Sequence, residues 1–171
     1  MRVKFNSLSG PGYHYLRSDH EYDESDLDTY KISKEYFDVI DKLGLRSKVD
    51  EAFSKIDSAK FVLQPTKSSR EEYELETPYG SGYAYWKDPE KDYYEFHFKE
   101  DFDHSVYDHY FTKDQNVVET LLKDKLKLDL VNDAISKRVY TGTHYGFGNR
   151  EYTELGYKYR DILKKAGFDG V

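Results

Sequence analysis

A chain of 171 residues that is 37% hydrophobic and 17% aromatic carries enough apolar material for the core of one ordinary domain. Its mean hydropathy of -0.91, with no run near the roughly 20 apolar residues a span needs, excludes an ordinary membrane protein. The absence of cysteine excludes disulfides, thiolate catalysis and cysteine-ligated zinc, and a net charge of -7 argues against indiscriminate attraction to nucleic acid phosphates.

At the N-terminus, MRVKFNSLSG is too short and polar to be the apolar region of a signal peptide, and the lack of cysteine makes a cytoplasmic location the expectation. Val3 and Phe5 alternate with Arg2 and Lys4 as in a short strand, which Ser9, Gly10, Pro11 and Gly12 interrupt. An irregular acidic segment follows. Six of its ten residues from 19 to 28 are carboxylates: Asp19, Glu21, Asp23, Glu24, Asp26 and Asp28. Such a run repels itself unless solvent, a cation or a basic partner neutralises it. The imbalance extends further, because residues 1 to 110 hold 24 Asp and Glu against 15 Lys and Arg, whereas residues 111 to 171 hold 9 against 11.

Ser33 is placed to cap the first helix, with Ile32 and Phe37 at the two positions of a hydrophobic staple. Phe37, Val39, Ile40 and Leu43 form its apolar stripe, and Gly44 suits the C-terminal cap. A second short helix is predicted from Ser47, burying Val49, Phe53 and Ile56. The period then changes to two. Phe61 to Leu63 read as a strand ended by Pro65, and Thr66 to Arg70 as a loop. Tyr73, Leu75 and Thr77 alternate with Glu72, Glu74 and Glu76. After Gly80 and Gly82, Tyr83 to Trp86 and the alternating Tyr94, Phe96 and Phe98 flank a turn at Asp88 to Asp92, the clearest hairpin in the chain. Three strands from Tyr73 to Lys99 predict an antiparallel meander with an aromatic face needing helices over it.

From Thr112 the helical period returns, with Thr112 and Gln115 as a capping-box pair before Val117, Val118, Leu121, Leu122 and Leu126. Asp129 either caps a further helix or sits within one continuous helix. Val139 to Thr141 fit strand or loop, and Asn149 is the expected cap of a final helix ended by Gly167. The expectation is one α+β domain, a small antiparallel sheet covered by N-terminal and C-terminal helices. Eighteen tyrosines suit either the rim of a modest core or a recognition face.

Candidate chemistry is sparse. His97, His104 and His109 are interleaved with Asp101, Asp103 and Asp108, but their spacing matches no helical metal motif, and no metal site or cofactor is predicted. The loop from Tyr140 to Arg150 is rich in glycine and opens a helix. Thr141, Thr143, His144, Gly146 and Arg150 could line a pocket for a nucleotide or other phosphorylated small molecule, although the Lys-Ser or Lys-Thr ending of a P-loop is missing. No nucleophile elbow occurs, and the many carboxylates make acid pairs uninformative. The leading expectation is an acidic protein-interaction domain, an inhibitor or adaptor that engages a basic, nucleic-acid-binding surface of a partner protein. Asp19, Glu21, Asp23, Glu24, Asp26 and Asp28, with Glu95, Asp101, Asp103 and Asp108, would form the negative surface, and neighbouring tyrosines its desolvated anchors. The alternative is a small enzyme or sensor that binds its ligand through the loop ending at Arg150.

Overall fold

The computed structural model describes residues 2–10, 13–79, 82–97, 106–141 and 151–168, with side chains from 21 onward except those of 106–108. The fold is α+β. Its described residues group into two compact units, one built from 1–30 and 58–124 and the other from 31–57 and 125–171. No helix among the described residues is long and apolar enough to cross a membrane.

The first unit is a seven-stranded sheet. Its strands are β1 (Arg2–Gly10), β2 (Tyr13–Glu21), β3 (Phe61–Leu63), β4 (Glu71–Leu75), β5 (Ala84–Lys87), β6 (Tyr94–Phe96) and β7 (Val106–Thr112), in the spatial order β1-β2-β7-β6-β5-β4-β3. The five strands from β7 to β3 are antiparallel neighbours and include the predicted meander. The β5–β6 turn follows from local chemistry: Pro89 supplies the φ of the first central position, Asp88 Oδ1 accepts from the Glu90 N–H at 3.0 Å, and the Lys91 N–H donates to the Asp88 carbonyl at 3.0 Å. Two features depart from the sequence reading. Residues 106–112, to which the sequence pattern assigns no element, form a central strand that carries His109, and β2 joins β7 in parallel. The N-terminal segment is a hairpin of two nine-residue strands, the second of which includes Asp19 and Glu21.

One face of this sheet is covered by the start of α3 (Gln115–Val139). Tyr22, Tyr85, Phe96 and Tyr110 pack there with Val117, Val118, Leu121 and Leu122, all buried. Ring pairs tie the layer together: Tyr22 to Tyr110 at 5.2 Å, Tyr85 to Tyr73 at 5.0 Å and Tyr85 to Tyr94 at 5.6 Å between centroids. The cap of α3 is Asp114 and not Thr112. Asp114 Oδ1 accepts from the Asn116 N–H at 2.9 Å, while Thr112 is buried and its hydroxyl accepts from the Asp114 N–H at 3.2 Å. Helix α3 continues without a break past Asp129.

In the second unit, α1 (Lys34–Lys42) and α2 (Arg46–Ser58) pack with the later part of α3 and with α4 (Glu154–Lys158) and α5 (Arg160–Lys165). The N-terminal and C-terminal helices therefore share a core of their own, in which Val39, Ile40, Val131, Ile135, Val139 and Leu163 are fully buried. Ser33 caps α1 as predicted, accepting from the Tyr36 N–H. At its other end Gly44 has φ +69°, and the Gly44 and Leu45 N–H groups donate to the Asp41 and Ile40 carbonyls, a Schellman motif. Gly167, at φ +93°, closes α5 by the same pattern. Strands β8 (Tyr140–Thr141) and β9 (Glu151–Tyr152) pair antiparallel and bring the two ends of the 142–150 segment together. The expected cap Asn149 lies outside the described residues. The observed cap of α4 is Thr153, whose hydroxyl accepts from the Gly156 N–H at 3.1 Å.

Candidate functional site

The face of the sheet opposite α3 carries a row that strand register alone assembles. Glu72 on β4 pairs with Trp86 on β5, Trp86 with Glu95 on β6, Glu95 with Phe111 on β7, and Phe111 with Glu21 on β2. Cross-strand partners share a face, so three carboxylates and two large aromatics alternate across five strands. All five are half-buried. Next to the row, Glu74 pairs with Ala84, and the backbone of Asp19 pairs with that of His109.

Aromatic and charged neighbours thicken this row. The His97 ring stacks on Trp86 at 4.8 Å with 16° between planes, and Tyr93 packs against Phe111 at 5.3 Å. Two cations reach in from loops. Arg70 Nη1 is 3.8 Å from Glu95 Oε2, and its guanidinium lies 5.4 Å from the Trp86 ring centroid. Lys91 Nζ is 3.5 Å from Glu95 Oε1 and 5.5 Å from the Tyr93 ring centroid. Their backbones are anchored locally. The Arg70 N–H donates to Ser68 Oγ at 3.1 Å and its carbonyl accepts from the Thr66 hydroxyl at 3.1 Å, while Lys91 sits in the β5–β6 turn. Contacts to Tyr93 first, and then to Glu95, raise the pKa of the Lys91 ammonium. Ion pairs this open to solvent are each worth about 0–1 kcal/mol, so both cations are held weakly.

The acidic segment after β2 is ordered. A 3-10 turn at Glu24–Asp26 is closed by reciprocal capping: Asp23 Oδ1 accepts from the Ser25 N–H at 2.9 Å, and Asp26 Oδ2 accepts from the Asp23 N–H at 3.2 Å. The Ser25 hydrogen bonds hold the Asp23 carboxyl below the usual carboxylate range. Tyr22, Leu27 and Tyr30 pack into the core beneath α3 and anchor the turn. This corrects the reading of 19–28 as irregular: a short apolar anchor is threaded through the carboxylates. Glu24 and Asp28 are exposed, whereas Asp23 and Asp26 also serve as caps.

The structure thus brings Glu21 and Glu95 onto one face and adds Glu72 and Glu74, which the list of acidic candidates missed although their alternation with Tyr73 and Leu75 marked them as outward. Trp86, Phe111, Arg70 and Lys91 were missed because no local signal joins them. Asp101, Asp103, Thr143, His144, Gly146 and Arg150 lie outside the described residues, and Asp108 is placed only by its backbone in β7. Thr141 is exposed, and its hydroxyl donates to the Glu151 carbonyl at 3.4 Å. Among the described residues no three His, Asp or Glu side chains group as a metal site.

On the covered face, Tyr85 is fully buried, donates its hydroxyl proton to Glu119 at 2.7 Å and accepts from Gln115 Nε2 at 2.8 Å. Burial, with Glu119 adding to it, pushes the phenol far above its ordinary value of 10.0. The folded state therefore keeps its proton where the unfolded chain loses it, so this contribution to stability is complete below about pH 10 and falls as pH rises further. Tyr85→Phe is expected to cost about 1 kcal/mol at neutral pH and to flatten the loss of stability above about pH 10, as read from urea midpoints. An unchanged alkaline slope would contradict this account.

Charge also divides by unit. The sheet unit holds 21 Asp and Glu against 11 Lys and Arg, a net -10, whereas the helical unit holds 12 against 15, a net +3. The acidity is a property of the unit that contains the sheet. No protein-family model, curated protein or solved structure matches this chain.

Proposed function

We propose that this chain is a protein-interaction domain, an inhibitor or adaptor, that engages a basic, nucleic-acid-binding surface of a partner through the face of its sheet opposite α3. The observation that carries this reading is the row Glu72, Trp86, Glu95, Phe111 and Glu21, half-buried acid and aromatic side chains set in alternation on one rigid face. Trp and Tyr supply large contact area at low entropy cost and dominate binding hot spots, and carboxylates around them select a positive surface and steer its approach. The net -10 of the sheet unit extends that attraction, and the capped acidic turn after β2 presents Glu24 and Asp28 without a large ordering cost.

A competition assay with defined components tests the proposal. An arginine-rich peptide is first bound to a fluorescent single-stranded oligonucleotide, and the full chain is then titrated in. The wild type is expected to strip the peptide from the oligonucleotide, less effectively at high salt because exposed charges are screened over about 10 Å at 0.1 M. The quadruple variant Glu21→Gln, Glu72→Gln, Glu74→Gln, Glu24→Gln should lose about tenfold in potency, since four carboxylates at about 0.4 kcal/mol each sum to about 1.6 kcal/mol, just above the 1.4 kcal/mol of a tenfold change. Failure of the wild type to displace the peptide, or equal potency of the variant, would overturn the reading.

A further inference from the structure

We propose that Glu95, Trp86 and Tyr93 form a receptor for cationic side chains, above all arginine, of an extended basic segment of the partner, and that Arg70 and Lys91 are internal occupants which that segment displaces. This inference rests on the function proposed above and names the chemistry recognised at the same face.

The geometry repeats itself around Glu95. One carboxylate oxygen faces Arg70 and the other faces Lys91, at 3.8 and 3.5 Å, and each cation also stands over its own aromatic ring, Trp86 or Tyr93, at 5.4 and 5.5 Å. A cation within about 6 Å of a ring centroid is attracted to the ring face, and a carboxylate beside that ring adds to the attraction. The patch therefore holds a guanidinium and an ammonium each between Glu95 and an aromatic side chain, Lys91 with a hydrogen bond to the Tyr93 side chain in addition. Glu95 and Trp86 belong to the sheet and Tyr93 immediately precedes β6, whereas both cations are delivered by loops. Glu95 is 18% exposed and the Arg70 and Lys91 side chains are 47% exposed, so the carboxylate is the enclosed member and the cations are peripheral.

Neither occupant fits tightly. Both nitrogen-to-oxygen distances are well beyond the 2.7–2.9 Å of a charge-assisted hydrogen bond, so a partner side chain free of the backbone anchors of Arg70 at Thr66 and Ser68 and of Lys91 at Asp88 can approach more closely. Charge favours exchange. Glu72 and Glu21 flank the patch within the same row, and the surrounding unit is strongly acidic. Arginine is preferred over lysine because its planar guanidinium stacks on an aromatic face and pairs with a carboxylate at once.

Trp86 is the only tryptophan of the chain, so its fluorescence reports directly on the patch. The full chain is titrated with a nine-residue arginine-rich peptide and with its lysine counterpart. The arginine peptide is expected to perturb Trp86 emission and to bind about threefold or more tightly than the lysine peptide. Arg70→Gln empties one position and should raise affinity for the arginine peptide by about three- to tenfold, whereas Lys67→Gln, the same charge change three residues away, should raise it less than about twofold. Trp86→Leu, followed by calorimetry, should lower affinity about tenfold and remove the preference for arginine. Equal effects of Arg70→Gln and Lys67→Gln would show that only net charge matters and would overturn the receptor. So would an arginine peptide that binds without changing Trp86 emission. In either case, retained displacement of the peptide from the oligonucleotide would leave the broader function standing. The Arg70 and Lys67 comparison concerns exposed loop residues and decides the matter even if Trp86→Leu fails to fold.

Discussion

Phe96→Ala is expected to lower stability by about 3–5 kcal/mol, the cost of deleting a fully enclosed aromatic side chain. Phe96 is 1% exposed and packs its ring against Tyr22 at 5.7 Å and Tyr110 at 5.5 Å, with α3 over it. Its neighbour Glu95 points to the opposite face, so Glu95→Ala removes two open ion pairs and should cost less than about 1 kcal/mol while greatly weakening capture of the arginine peptide. Urea denaturation of the two variants gives the comparison. Similar midpoints would mean that the faces of β6 have been assigned wrongly, and with them the whole row of cross-strand partners that forms the candidate site.

Gly156→Ala is expected to destabilise the helical unit by about 1–3 kcal/mol, although alanine favours a helix over glycine by about 1 kcal/mol. A Cβ at this buried position would lie 2.3 Å from the Val139 carbonyl oxygen and 2.7 Å from Tyr152 Cδ1. Neither neighbour is free to yield. The Val139 carbonyl accepts from the Thr153 N–H at 2.9 Å, and the Tyr152 ring is stacked on Tyr140 at 5.5 Å. Relief requires α4 to move away from α3 and the Thr153 cap to loosen, which should appear as a lower thermal midpoint and a reduced near-ultraviolet tyrosine signal. A variant as stable as the wild type would show that α4 does not need this close approach.

The two substitutions report on different halves of α3, since its early residues pack on the sheet and its later ones on the helical core. The period of the sequence revealed the helix but not this division. Val117, Val118, Leu121 and Leu122 and, past Asp129, Val131 and Ile135 fit one helix or two, and nothing in their spacing states that the two ends face different partners. The acidic segment presents a similar case. Its carboxylates dominate its composition, and the anchoring role of Tyr22, Leu27 and Tyr30 becomes visible only when the aromatic layer that receives them is in place.

What the sequence by itself determined was set by interactions among residues close in the chain. Ser33 and Gly44 bound α1, Asp88 and Pro89 make the β5–β6 turn, and the alternation of Tyr94 and Phe96 with Glu95 assigns the two faces of β6. Each rests on a hydrogen bond, a backbone dihedral or a side-chain period spanning a few residues, so a local reading suffices. The tertiary structure alone decided that residues 106–112 enter the middle of the sheet, that the N-terminal hairpin docks on them in parallel, and that Glu72, Trp86, Glu95, Phe111 and Glu21 become neighbours. Asp108 and His109 interrupt the apolar pattern of β7, whose burial depends on pairing with β6 and β2. Strand order and register depend on contacts between distant segments, and a single-residue slip would send every side chain of a strand to the other face. The candidate site is made of such contacts, which is why its aromatic and cationic members could not be read from the chain before it folds.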